Sequence, residues 1–196
     1  RAKLDLFKQR IQEYESLFDE STVFLVRTQG VGYTKAEEMV NHGVTGPNVR
    51  AAGVDYDVRW AHPYSVYSEL DWAPAVERSS IKGADCYDRY RVRVTEMVES
   101  ANMVLEALER MPGGAETHYE PGDPAIIAKA PSRAPEGTFG SHHFEDSRGE
   151  SMFHIVGGGE GRGKNPYRVS IRSPMFITIP YASKCMIGYK VADIPA

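Results

Sequence analysis

The segment 145–150, EDSRGE, places one arginine between acidic residues directly before a predicted strand. A guanidinium stays protonated in proteins, so Arg148 would be a permanent positive charge at that point. If it faces a redox or substrate pocket, it could stabilise negative charge that develops there. The same pattern is also typical of an ion pair that fixes the start of a strand. The residues alone leave both interpretations open.

A second group of charges lies in segment 43–67, GVTGPNVRAAGVDYDVRWAHPYSVY, which mixes turn-forming residues with tyrosines and charged side chains. Its clustered charged residues are Arg50, Asp55, Asp57 and Arg59. One interpretation is an ionic network that lines a redox or substrate pocket. The other is a set of salt bridges that holds an irregular loop in place. The second is favoured, because structural ion pairs also occur in such loops.

Five charged residues crowd the start of a predicted long helix: Asp85, Asp88, Arg89, Arg91 and Arg93. Ion pairs three or four residues apart along one helix explain most of this crowding, at roughly 0.2–0.5 kcal/mol each. Asp85 is the predicted N-cap, and a negative charge in the first turn favours the helix dipole. A structural role is therefore favoured for the whole group.

Three other motifs give little support to metal or phosphate chemistry. GGGEGRG at 157–163 has the composition of a phosphate loop, but no helical pattern follows it, so we predict a hairpin tip. His142 and His143 are adjacent, and neighbours on a strand point to opposite faces. Cys86 and Cys185 lack the paired spacing of zinc, iron–sulfur or nickel sites. We predict no metal site in this sequence.

The composition is that of a globular protein, with 41% hydrophobic and 26% charged residues. A net charge of −4 gives no reason to expect nucleic-acid binding. Two distant cysteines favour a reducing compartment, and no apolar run is long enough to span a membrane. The chain starts at Arg1 and ends in VADIPA, which resembles a helix start, so we expect a piece of a longer protein.

Periodicity predicts mostly helices in the first two thirds of the chain. Residues 3–18 form an amphipathic pattern, whereas 23–26 fit either a buried strand or one helical turn. Thr34, with a glutamate three residues on, predicts a capping box and a helix to His42. A shorter helical pattern covers 64–70.

The longest predicted helix runs from Asp85 to Met111 and ends at a Pro-Gly-Gly stop. Residues 112–140 lack periodicity and are expected to be an irregular connection. Residues 152–156 and 167–172 predict a β-hairpin, and 175–179, bracketed by prolines, a further extended piece. We therefore predict a single domain over residues 1–196, mainly α with small β elements (α+β).

Six segments, taken in order, carry a family resemblance. They are RTQGVGYTKAEE (27–38), GVTGPNVRAAGVDYDVR (43–59), PYSVY (63–67), GADCYDRYRVRVTEMVES (83–100), EDSRGE (145–150) and NPYRVSIRSPMF (165–176). Together they resemble the D subunit of bacterial complex I, which is the 49-kDa subunit of the mitochondrial complex. The same lineage includes the matching subunit of archaeal F420H2 dehydrogenase and the large subunits of membrane-bound, energy-converting [NiFe] hydrogenases.

The resemblance implies a helical bundle of the hydrogenase large-subunit type with a C-terminal β-hairpin. It also implies a peripheral-arm subunit of an NADH- or F420H2-linked quinone oxidoreductase, on the cytoplasmic face of the inner or plasma membrane. Such a subunit packs against a small iron–sulfur subunit, whose terminal [4Fe–4S] cluster reduces quinone or methanophenazine. Other peripheral-arm and membrane-arm subunits are further expected partners, and electron transfer is coupled to ion translocation. This chain itself is expected to bind no cofactor.

The resemblance also implies residue roles. In the hydrogenases, the motif that resembles EDSRGE places its arginine over the metal site, so Arg148 is the candidate that faces the quinone cavity or the cluster interface. A pocket-structuring role is implied for Arg50, Asp55, Asp57, Arg59, Glu145 and Glu150.

Two alternatives stay open. The first is a true hydrogenase large subunit, whose nickel- and iron-binding CxxC pairs would lie outside this sequence. The second is a scaffold that docks the cluster subunit and does no chemistry.

Overall fold

The computed structural model describes residues 1–76, 83–111, 134–159, 161 and 165–194. Its helices are α1 (Ala2–Asp19), α2 (Thr22–Thr28), α3 (Ala36–Asn41), α4 (Pro47–Ala51), α5 (Val58–Ala61), α6 (Cys86–Arg110) and α7 (Met175–Cys185). Its strands are β1 (Thr34–Lys35), β2 (Gly83–Ala84), β3 (Phe139–Asp146), β4 (Gly149–Val156) and β5 (Arg168–Arg172). The predicted α+β class is confirmed. Among the described helices, not one combines the length and the apolar character that crossing a membrane requires.

Helix α6 is the longest of the described elements, and its predicted ends are confirmed. The Asp85 carboxylate accepts the N–H of Asp88 at 2.9 Å, and the Asp88 carboxylate accepts the N–H of Asp85 at 3.0 Å. This reciprocal capping box satisfies two N–H groups that a helix start would otherwise leave without partners. Met111 is the C-cap.

The arginines at the start of α6 do not follow the prediction of local ion pairs. Arg91 pairs with Glu15 at 3.1 Å and Asp19 at 3.0 Å, both on α1. Arg89 and Arg93 also reach other segments of the chain, as described below. Spacing along one helix could not reveal these partners, because the helix packs against several elements.

Three short elements of the first half refine or correct the sequence predictions. The apolar run 23–26 lies in α2 and is helical. The capping box predicted at Thr34 is wrong: Lys35 is the N-cap of α3, and Thr34 instead pairs with Ala84 in a small antiparallel ladder. The helix predicted at 64–70 is only one 3-10 turn, at Tyr67–Glu69.

The extended piece predicted at 175–179 is also wrong, since these residues begin α7. Pro174 is the N-cap, where a missing N–H costs no helical hydrogen bond, and the helix continues through Pro180. Its inner face carries Ile177, Tyr181 and Cys185, which pack against the core. The spacing of four in this apolar face is the helical signal that the two prolines obscured.

Strands β3, β4 and β5 form an antiparallel sheet in that order. The predicted hairpin is confirmed, with Met152 opposite Arg172 and Val156 opposite Arg168. The sequence did not predict β3, whose first two residues fall in the supposed irregular connection. Residues 112–133 of that connection lie outside the described residues, as do 160 and 162–164 of the glycine-rich tip.

The core lies where α3, α4 and α6 meet β2 and α7. Its most buried members include Met39, Val49, Ala84 and Val92. Segment 43–67, which begins at the end of α3, therefore packs against the core rather than extending into solvent. This position brings its charged residues close to α6 and to the turn between β3 and β4.

Candidate functional site

The β3–β4 turn, which carries Arg148, is in backbone contact with segment 43–67. Gly46 has φ +79° and Gly149 has φ +128°, both in the region that favours glycine. A Cβ on Gly46 would overlap Gly149, and one on Gly149 would lie 2.8 Å from the Thr45 carbonyl oxygen. The N–H of Glu150 donates to the Thr45 hydroxyl at 2.9 Å. These contacts fix the backbone on which Arg148 stands.

Replacing Gly149 with alanine is expected to lower the free energy of unfolding by about 2 kcal/mol or more, because the new methyl meets Thr45 backbone and the backbone angle is strained. Thermal unfolding of the purified protein measures the effect. Gly140→Ala is the matched control, because a Cβ at Gly140 meets nothing within 4 Å. Equal melting temperatures for the two variants would show that the contact is unimportant.

Arg50 is the centre of a buried ionic cluster. Its side chain is 2% exposed and its guanidinium contacts three carboxylates: Glu96 at 2.6 Å, Glu145 at 2.9 Å and Asp57 at 3.2 Å. It also donates to the Tyr56 carbonyl at 3.1 Å. The two sequence-predicted groups, in segment 43–67 and in EDSRGE, therefore meet in one cluster.

Arg59 joins the same cluster through Asp57. The Asp57 carboxylate is fully buried and accepts from the Arg59 side chain at 2.7 and 2.9 Å. Beyond the ion pair, the Arg59 guanidinium lies 4.7 Å from the ring centre of Trp72 and 5.6 Å from that of Tyr67. These cation–π contacts tie Arg59 to Tyr67 at the end of the segment and to Trp72 beyond it.

The cluster carries one more negative than positive charge, since Arg50 and Arg59 face Asp57, Glu96 and Glu145. Burial lowers the pKa of Arg50, but Glu96, Glu145 and Asp57 together raise it above its ordinary value. Burial raises the pKa of Glu145; Arg50 opposes this rise, Asp57 adds to it, and the net shift is upward. Arg50 is therefore the charge on which the cluster depends.

Glu150 belongs to a separate network on the other side of the turn. Its carboxylate contacts His143 at 2.9 Å and Arg172 at 3.3 Å. Arg172 also donates to the Gly43 carbonyl at 3.2 Å, which ties β5 to the start of segment 43–67. Asp55 is exposed and has no ion pair within the described residues. The structure thus brings together five of the six predicted pocket-structuring residues around one turn and leaves Asp55 apart.

A cavity of about 630 Å³ opens beside this turn, between α6 and α7. Arg148 lies on its wall, with one guanidinium nitrogen 3.8 Å from the Met175 sulfur. Arg89 lines it from α6 and donates to the carbonyls of Ala84 at 3.2 Å and Gly32 at 3.0 Å. Arg93, one helical turn further along, donates to the Asn48 side chain at 3.4 Å.

This arrangement concentrates fixed positive charge in a cavity that has both polar and apolar walls. Such a cavity can bind a partly apolar molecule and stabilise negative charge on it. The sequence identified Arg148 as a candidate. It did not show that Arg89 and Arg93 also line the cavity, because both were assigned to local ion pairs. It also missed Glu96, which lies mid-helix among other polar residues and has no distinguishing local pattern. Whether Arg148 acts on a carrier stays a prediction.

Both cysteines also line the cavity. Cys86 is at the start of α6, and its sulfur accepts a hydrogen bond from Arg89 at 3.1 Å. Cys185 is on α7, and its thiol donates to the Tyr181 carbonyl at 3.3 Å. Within the described part of the chain, no group of three or more His, Cys, Asp or Glu residues could hold a metal ion.

Burial raises the pKa of the Cys185 thiol above its usual range. A raised pKa means less thiolate at a given pH, so iodoacetamide should modify Cys185 more slowly than free cysteine at about pH 8. The rate should still increase with pH where free cysteine is already fully ionised. A Cys86→Ser variant isolates this reaction, and the rate in urea gives the unfolded reference. Equal rates in folded and unfolded protein would contradict the expectation.

Comparison with known proteins supports the resemblance seen in the sequence. Residues 1–196 match the family described as respiratory-chain NADH dehydrogenase, 49 Kd subunit. The D subunit of the NADH-quinone oxidoreductase of Flavobacterium johnsoniae is 39% identical over 97% of this chain and 50% of its own length. The D subunit of the F(420)H(2) dehydrogenase of Methanosarcina mazei is 36% identical over 97% of this chain and 48% of its own length.

One solved structure has a fold similar to that of this chain. It is that of the membrane-bound sulfane sulfur reductase, an archaeal respiratory membrane complex, with a TM-score of 0.81 and 28% sequence identity. The likeness covers 100% of this chain and 50% of the other.

The fold and these likenesses place the chain among proteins that are subunits of respiratory complexes. Within that class, the chain belongs to the family of the 49-kDa subunit of respiratory-chain NADH dehydrogenase. The predicted family is thereby confirmed. The chain spans about half the length of the curated relatives it matches.

Proposed function

We propose that this chain helps to form the quinone pocket of a complex I-type NADH- or F420H2-linked oxidoreductase, and that the arginine-lined cavity is part of that pocket. The observation that carries the proposal is the position of Arg148. The Gly46–Gly149 contact holds its backbone beside a cavity that Arg89 and Arg93 also line. The names of the relatives, a NADH-quinone oxidoreductase and an F(420)H(2) dehydrogenase, support the reaction class.

Reduction of a quinone to a quinol takes two electrons and two protons, so negative charge develops on the carrier before protonation is complete. Fixed guanidinium groups stabilise that charge without having to reorganise during the reaction. In this proposal Arg148 supplies the charge closest to the carrier. The Arg50 cluster and the Glu150 network hold the turn, and thereby Arg148, in place.

The proposal includes partners. A small iron–sulfur subunit would carry the terminal [4Fe–4S] cluster, which supplies the electrons, and other peripheral-arm and membrane-arm subunits would complete the complex. The assembly would lie on the cytoplasmic face of the membrane and couple carrier reduction to ion translocation. Methanophenazine would replace quinone as the carrier in an archaeal complex.

The direct test is the activity of the purified complex with matched donors and acceptors. NADH and F420H2 are compared as donors, and a soluble quinone, a phenazine, polysulfide and protons as acceptors. Donor-dependent reduction of quinone or phenazine is the expected result. Hydrogen evolution with stoichiometric nickel would identify the hydrogenase alternative, and reduction of polysulfide alone would contradict the proposed carrier.

A further inference from the structure

The three arginines of the cavity differ from Arg50 and Arg91 in their partners within the described part of the chain. Among the described residues, no carboxylate lies within salt-bridge distance of Arg89, Arg93 or Arg148. Their hydrogen-bond partners are carbonyl oxygens, an amide oxygen and sulfur atoms. By contrast, Arg50 and Arg91 each contact two or more carboxylates. As far as the described residues show, the cavity therefore presents guanidinium N–H donors to a ligand.

Among the described residues that line the cavity, the acidic one is Asp193, and it does not neutralise the charge of the three arginines. The Asp193 carboxylate pairs with Arg27 at 3.0 Å and accepts the Lys190 N–H at 3.2 Å. The Lys190 side chain itself adds a cationic residue to the lining. The positive charge is thus local, in a chain whose net charge is −4.

The arginines also repel one another. Burial lowers the pKa of Arg93; Glu96 opposes the shift, but the charges of Arg89 and Arg148 lower it further. An anion bound among the three would relieve this repulsion. Guanidinium groups match the oxygens of phosphate in geometry as well as in charge, because their planar N–H pairs can donate to two oxygens at once.

We propose that the cavity between α6 and α7 is an oxyanion site, in which Arg89, Arg93 and Arg148 bind a group with the charge and shape of phosphate. Free phosphate and the headgroup of a phospholipid share this chemistry. The opposite wall, formed by Met175, Tyr181 and other residues of the α7 region, is apolar enough to accept the rest of a larger ligand. If the proposed carrier uses the same cavity, oxyanion binding and carrier reduction exclude one another.

Equilibrium dialysis of the purified full-length protein against radiolabelled inorganic phosphate tests the site. Chloride keeps the ionic strength constant, so that general screening is the same in every sample. Arg93→Gln and Arg148→Gln are each expected to weaken phosphate binding about tenfold, the loss typical of a hydrogen bond to a charged group. Arg10→Gln is the matched control, because it removes the same charge from an exposed pair on α1 and should leave binding within about twofold.

Saturable binding that both cavity variants weaken and the control preserves would support the site. No saturable binding, or equal affinity in all four proteins, would overturn it. A second arm distinguishes the two sources of the oxyanion. Retention on vesicles of phosphatidic acid but not of phosphatidylcholine, lost in Arg93→Gln, identifies a lipid headgroup, whereas phosphate binding without vesicle retention identifies the free ion.

The claim that the oxyanion and the carrier exclude one another rests on the proposed function. Its test distinguishes a failure of the oxyanion site from a failure of the proposed function. Phosphate should act as a competitive inhibitor of quinone reduction in the assembled complex. Binding without inhibition would leave the oxyanion site standing and remove the carrier from this cavity. Quinone reduction without any phosphate binding would overturn the oxyanion site and leave the proposed function standing.

Discussion

Arg148→Gln is expected to slow quinone reduction by about tenfold or more in the assembled complex, while the complex still assembles. Loss of a single preorganised charge or donor commonly costs an enzyme this much or more. The side chain is exposed and, among the described residues, its hydrogen-bond partner is the Met175 sulfur at 3.8 Å, so we expect the fold to depend little on it. Steady-state rates with a soluble quinone, normalised to assembled complex, measure the effect.

The controls separate charge from structure. Arg148→Lys keeps the positive charge and should restore part of the rate. Arg168→Gln removes an exposed arginine from β5, among residues that do not line the cavity, and should leave the rate unchanged. Unchanged turnover in Arg148→Gln would contradict a role in the reaction. Loss of assembly in that variant, with normal turnover of the complex that does form, would favour the scaffold alternative.

Arg50→Gln is expected to lower the free energy of unfolding by about 3–5 kcal/mol, the cost of leaving buried charges without their partner. Asp57 and Glu145 are nearly inaccessible to solvent, so water cannot replace the lost guanidinium. Removal of Arg50 leaves the cluster with two excess negative charges rather than one. Urea unfolding of the purified protein measures the loss.

Glu145→Gln is the informative comparison, because it removes the excess negative charge of the cluster instead of increasing it. Its cost should be clearly smaller than that of Arg50→Gln, although it weakens the bonds to Arg50 and to the Val58 N–H, which lie at 2.9 and 3.2 Å in the wild type. If the two variants lose equal stability, the charge balance of the cluster is not what matters.

The pH dependence of stability gives a further check on Glu145. Its pKa is raised in the folded state, so the unfolded chain releases this proton at a lower pH than the folded chain. Glu145 therefore reduces stability as the pH rises above its unfolded pKa of about 4.3. Wild type should consequently lose more stability between about pH 4 and pH 7 than Glu145→Gln does.

The sequence predicted those parts of the fold that local rules determine. The caps of α6 follow from Asp85, Asp88 and the residues after Met111, because capping depends on neighbours within one turn. The β4–β5 hairpin follows from alternation in both strands. Helix α7 was missed because Pro180 normally interrupts a helix, and here the core contacts of Tyr181 and its neighbours offset the missing hydrogen bond.

The candidate site was only partly predictable for a related reason. Arg50, Asp57 and Arg59 stand close together in the chain, so their pairing could be expected. Glu96 and Glu145 complete the cluster from positions 46 and 95 residues from Arg50, which no local pattern links to it. The cavity likewise depends on the packing of α7 against α6. Because the start of α7 was predicted to be extended, the cavity could not be predicted.

Photoaffinity labelling of the assembled complex with a photoreactive quinone would show directly whether the carrier binds in this cavity. Labelled peptides that contain Arg148 or residues of α7 are expected, with labelling suppressed by excess unlabelled quinone and reduced in Arg148→Gln. Label that blocks turnover but maps only to peptides away from Arg148, α6 and α7 would contradict the assignment of this cavity to the quinone pocket.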